Sequence, residues 1–156
     1  MKYSADTSVV LRVLTGMPEP LATVVRTRLE GLWVNGIVVD VCDLVVSETY
    51  FALQHSYGLS KENVLDVLTK LSVHPGFRLS GAVTAALQTP NLAKASPGFI
   101  DRVIHGTCVT DDESLMLTCE KDAKRLHLHV FTCAVLGEKY GIMFGTRKIR
   151  RLKWIS

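Results

Sequence analysis

Five short apolar runs, "KYSAD" (2–6), "GIVVDV" (36–41), "FRLS" (77–80), "LMLTC" (115–119) and "HVFTC" (129–133), are separated mostly by longer stretches of helical periodicity. This alternation is the strongest constraint on the fold. Strands joined through helices pair in parallel, so the chain reads as an α/β sandwich around a mostly parallel sheet. The uncharged run 115–119 suits a central parallel strand, both faces of which are covered.

The intervening stretches carry helix signals. "TSVVLRVLTG" (7–16) ends at Gly16, and residues 19–31 start with Pro20 in the first turn and stop at Gly31. Residues 43–58 place apolar side chains at 44, 45, 51 and 53, which predicts a largely buried helix stopped by Gly58. Residues 60–76 open on Ser60 as N-cap and present Leu65, Leu68 and Leu71 as one stripe. A helix over 82–88 is followed by one over 96–108, which starts at Ser96-Pro97 and puts Phe99, Ile100, Val103 and Ile104 on one face. The tail adds a last strand around "YGIMF".

Composition narrows the class. A chain of 156 residues, 47% apolar and 21% charged, builds one domain with a core and is not a disordered segment. No apolar run reaches the length of a membrane span, and Asp6 and Arg12 interrupt what would be a signal peptide, so a cytoplasmic protein is expected. The widely spaced Cys42, Cys108, Cys119 and Cys133 contain no C-x-x-C pair and read as buried thiols.

Charge divides the chain in two. Residues 1–133 carry 12 Lys and Arg against 14 Asp and Glu, whereas 134–156 carry six basic residues and only Glu138. The basic extension 134–156, expected to pack on the domain formed by 1–133, holds Arg147, Lys148, Arg150, Arg151 and Lys153, a footprint for a polyanion such as RNA or a docking surface for an acidic protein.

Ligands of an open parallel sheet bind at the carboxyl ends of its strands. Asp6 closes the first strand, Glu120 closes the strand 115–119, and Asp122 follows two residues on. Glu48 interrupts an otherwise apolar helix, and Asp101 lies in the first turn after Pro97. Each acid alone has a structural reading: Asp6 as an N-cap, the others as first-turn or ion-paired acids. Brought together they require a cation between them, and an all-oxygen site selects Mg²⁺ or Mn²⁺. Such ions suit phosphodiester hydrolysis. A phosphoacceptor domain needs paired acids after the first strand, and "SADTS" offers only one.

"YSADTSVVLRVL", "VVSETYFALQHSYGLSKENVLDVLTKL", "PGFIDRVIHGTC" and "LMLTCEKDAKRL" resemble, in order and spacing, the successive motifs of PIN-domain proteins, above all the toxin ribonucleases of VapBC-type toxin–antitoxin pairs. The resemblance covers about residues 2–133 and implies a Rossmann-like three-layer α/β/α sandwich with a metal-dependent RNA-cleaving site. It places the family's acids on Asp6, Glu48, Asp101 and Glu120, with Asp6, Asp101, Glu120 and Asp122 as metal ligands and Ser8 and Thr118 in support. Where the family's strand usually ends Thr-Phe-Asp, this chain reads Thr118-Cys119-Glu120, one methylene longer at the acid. Arg102 and His105 follow Asp101 where small and apolar residues are usual. The resemblance also implies an antitoxin protein partner and a homodimer. The alternative is a catalytically weakened PIN-like module that binds RNA or a protein.

Overall fold

The computed structural model describes residues 2–111, 116–118, 122, 125, 126 and 130–132. Three parallel strands, β1 (Tyr3–Ser4), β2 (Val39–Val41) and β3 (Phe77–Leu79), form a sheet in the order β1-β2-β3. β4 (Met116–Thr118) and β5 (Val130–Thr132) pair in parallel as a second, two-stranded sheet. Helices α1 (Thr7–Thr15) and α2 (Glu19–Val34) join β1 to β2, and α3 (Asp43–His55) and α4 (Lys61–Ser72) join β2 to β3. α5 (Gly81–Leu87), a short 3-10 turn (Leu92–Lys94) and α6 (Phe99–Cys108) follow β3. The expected α/β class with a parallel sheet is therefore present.

Parallel strands joined by right-handed crossovers and laid down in sequence order receive both crossovers on one face of the sheet. Burial agrees with that rule. Ala5, Val39, Val41 and Phe77 are buried beneath the helices, while their alternating neighbours Ser4, Cys42 and Arg78 are exposed. The core lies between this sheet face and the helices, with Val10, Val46, Val64, Leu68 and Val83 all at 0% exposure. Each such side chain contributes about 1.5–3 kcal/mol by leaving water.

Local chemistry sets the helix limits. Asp6 caps α1 by accepting from the Val9 amide at 2.9 Å, and Gly16 ends it at φ 69°, a left-handed conformation that suits glycine. Ser60 and Ser80 cap α4 and α5 in the same way, accepting from Asn63 and Val83. α2 runs through Gly31, the expected stop, and ends only near Gly36 at φ 70°. An interior helical glycine costs only about 1 kcal/mol, which the packing of Leu29 and Trp33 offsets. α6 starts after Gly98 and not at Pro97, because Asp101 accepts from the Gly98 amide at 3.1 Å and fixes the first turn there.

At the amino end of the sheet, Trp33 packs on His74 and Phe77, with ring centroids 4.7 and 5.4 Å away, and donates its indole N–H to the Gly76 carbonyl at 3.0 Å. α5 and α6 approach closely where Gly106 faces Ala82: a β-carbon at Gly106 would sit 3.1 Å from that of Ala82.

Several expected faces are turned. In α3 the buried residues are Val46, Thr49, Tyr50 and Leu53, whereas Leu44 is 72% and Phe51 47% exposed. In α6 Ile104 is exposed and His105 is buried. Cys42 and Cys108 are exposed free thiols and not buried ones. The α4 stripe of Leu65, Leu68 and Leu71 is buried as its spacing predicts. No single described helix is long and apolar enough to cross a membrane.

Candidate functional site

Asp6, Asp43 and Ser80 occupy the ends of three adjacent parallel strands, each at the start of a helix. Helix N-termini gather at this edge, and their unpaired amides favour negative charge. The Val9 amide holds the Asp6 carboxyl below its usual pKa, with the Ser8 hydroxyl donating to the same oxygen at 2.8 Å. Asp6 is therefore a helix cap and an ionised acid on the rim.

Glu48 is not buried. It lies in the second turn of α3, exposed, and accepts a hydrogen bond from the Thr7 hydroxyl. Thr7 is the first residue of α1 and follows Asp6 directly, so one short turn ties two acids from separate motifs together. Helix α3 buries its Val46, Tyr50 and Leu53 face, and Glu48 falls between those positions on the turned-out side.

Asp101 lies at the start of α6, which packs along α3. α3 and α6 run antiparallel: the Thr107 hydroxyl donates to Asp43 at 2.7 Å at one end, and Tyr50 meets Phe99 with ring centroids 5.2 Å apart at the other. Glu48 is five residues from Asp43 and Asp101 six from Thr107. At ~1.5 Å per residue that is about 7.5 and about 9 Å along the two axes, but Glu48 lies on the side of α3 turned away from Asp43 and Tyr50, which face α6. The Lys61 ammonium is also near the Asp101 turn, 3.9 Å from where a Gly98 β-carbon would stand. Asp122 joins the same turn, accepting from the Ser96 hydroxyl at 2.8 Å and pairing with Arg125 at 3.5 Å.

The anticipated acids thus come in two pairs. Glu48 bonds to Thr7, the residue that follows Asp6, and Asp101 and Asp122 both bind the segment 96–98 that starts α6. Among the described residues no three His, Cys, Asp or Glu side chains gather as metal ligands. Glu120 and the basic residues Arg147, Lys148, Arg150, Arg151 and Lys153 lie outside the described residues, and Thr118 ends β4.

Asp43 is the acid that sequence reading missed. It accepts from the Ser80 hydroxyl and from Thr107, linking the starts of α3 and α5 to the end of α6. Its signal was an Asp two residues past a short strand and at the start of a helix, as Asp6 is. Asp40 is a second acid outside the anticipated set. In mid-β2, opposite Arg78 on β3, it binds the Arg78 guanidinium at 2.6 Å and Lys2 at 3.2 Å. The Arg78 hydrogen bond lowers the Asp40 pKa, against desolvation, and Lys2 adds to the lowering. This exposed sheet face borders a cavity of about 460 Å³ whose lining includes Lys2, Ser4, Asp40, Arg78 and Ser80.

Compared with protein-family models, curated proteins and solved structures, the chain has no match.

Proposed function

We propose that the chain is a Mg²⁺- or Mn²⁺-dependent ribonuclease of the PIN-like type, acting in the cytoplasm as the toxin of a toxin–antitoxin pair. The observation that carries this reading is the Asp6–Thr7–Glu48 link at the carboxyl edge of the sheet.

The donors are all hard oxygens, the kind that Mg²⁺ and Mn²⁺ prefer. Mg²⁺ needs only one or two carboxylates when substrate phosphates and waters complete its shell, so this reading asks only that Asp6 and Glu48 converge on it, with Asp101 and Glu120 as further ligands. A bound ion would polarise the scissile phosphodiester and lower the pKa of an attacking water. The chain's own groups position that chemistry. Ser8 and the Val9 amide fix Asp6, the Thr7 hydroxyl fixes Glu48, and the Gly98 amide fixes Asp101.

The deciding experiment is cleavage of single-stranded RNA by the purified chain with Mg²⁺ or Mn²⁺. Cleavage lost in Asp6→Asn and Glu48→Gln supports the reading. A folded wild type that cuts no RNA with either metal overturns it.

A second reading, an RNA-binding module without catalysis, draws on the engagement of Asp6 as a cap and of Asp101 with its own helix turn. It expects salt-dependent RNA binding that survives Asp6→Asn and weakens on deletion of 147–153.

A further inference from the structure

We infer that Phe51 and His55 form a stacking platform for a nucleobase of the RNA chain beside Glu48. This inference rests on the ribonuclease reading and adds to it how the substrate is held.

Leu44, Glu48, Phe51 and His55 follow one another at helical spacing along the exposed side of α3, and all four are exposed. Phe51 retains 47% exposure although it lies in the middle of a helix whose other face is core. Its ring is nearly parallel to that of His55, one turn on, with centroids 6.2 Å apart and planes at 13°. Tyr50 meets the Phe51 ring edge-on, centroids 5.4 Å apart, and so limits its swing. Two near-parallel planar rings, held on a rigid helix and half open to water, suit a flat π-system.

The position favours a base over a protein side. Phe51 stands three residues from Glu48 on the same side of the helix, within about 5–6 Å between β-carbons. A nucleotide whose phosphate approaches Glu48 has its base within reach of that ring. An apolar protein seam would be continuous along the stripe, but here it is broken by Glu48 and ends at His55. Stacking on an aromatic ring tolerates any base, as a nuclease of single-stranded RNA needs, because every base has a π-face.

The test measures binding of a short labelled single-stranded oligoribonucleotide, and of an abasic ribose-phosphate oligomer of equal length, with Ca²⁺ in place of Mg²⁺ or Mn²⁺ so that the acidic rim is neutralised while cleavage is suppressed. Phe51→Ala should weaken binding of the ordinary RNA by on the order of tenfold, and Phe51→Trp should keep or tighten it. The abasic oligomer should bind wild type and Phe51→Ala equally. Val34→Ala, at an 87% exposed position at the end of α2, should change neither. Wild type that does not bind RNA, or equal loss on both oligomers, overturns the platform. So does Phe51→Ala that dissociates a dimer with RNA affinity intact. The nuclease reading fails separately: RNA binding that depends on Phe51, with no metal-dependent cleavage, leaves the platform standing and removes catalysis.

Discussion

The Thr7 hydroxyl donates to the Glu48 carboxylate across 41 residues of sequence, joining the first turn of α1 to the second turn of α3. Thr7→Val keeps the β-branched shape and removes only the donor. Supporting hydrogen bonds to metal-facing groups are typically worth 10–100-fold in affinity or activity, so under the proposed nuclease reading RNA cleavage should fall by about tenfold. Thermal unfolding should move little, because the bond is exposed. Steady-state cleavage and a melting curve on the same preparation check both halves.

Asp6 has two roles that substitution can separate. Asn is as good an N-cap as Asp, so Asp6→Asn should leave stability near wild type while abolishing the proposed cleavage. Asp6→Ala loses the cap as well and should cost about 1 kcal/mol in urea denaturation.

The same residue sets part of the acid stability. Its folded pKa lies below the unfolded value, chiefly through the Val9 amide and then Ser8. Its contribution is therefore complete above the unfolded pKa of about 3.9 and fades as pH falls through the folded value. Stability measured from pH ~5 downward should fall less steeply in Asp6→Asn than in wild type.

Asp43 should matter for folding more than for chemistry. Asp43→Ala strips a partner from both Ser80 and Thr107, which should cost about 1–3 kcal/mol. Chemical denaturation reads this directly, and an unchanged midpoint would show that the three-helix link is idle.

Gly76→Ala should destabilise the amino end of the sheet. Its β-carbon would overlap the Trp33 indole ring, which also donates to the Gly76 carbonyl. Overpacking of this kind costs about 1–3 kcal/mol, and displacement of the indole should alter tryptophan fluorescence.

Much of the fold is written in local chemistry. The limits of α1 follow from Asp6 and Gly16, and the buried side of α4 follows from Leu65, Leu68 and Leu71. What was misread depends on contacts distant in sequence. Gly31 fails to end α2 because the packing of neighbouring Leu29 and Trp33 outweighs its weak helix propensity. The buried side of α3 is set by its neighbours, so Leu44 and Phe51, though apolar, face water. Glu48 drew notice as an acid on an apolar helix, yet it is exposed, and its partner Thr7 could not be inferred from spacing alone. Asp43 escaped notice because its partners Ser80 and Thr107 are 37 and 64 residues away.

The cap at the start of α1 has a consequence for how such a rim changes over time. A carboxylate that also fixes a helix is retained by selection for folding alone, whatever happens to the chemistry. Glu48 anchors no helix end, so only the proposed cleavage would hold it in place. In descendants that lose activity, position 48 should change first, while an acid or its amide persists at position 6.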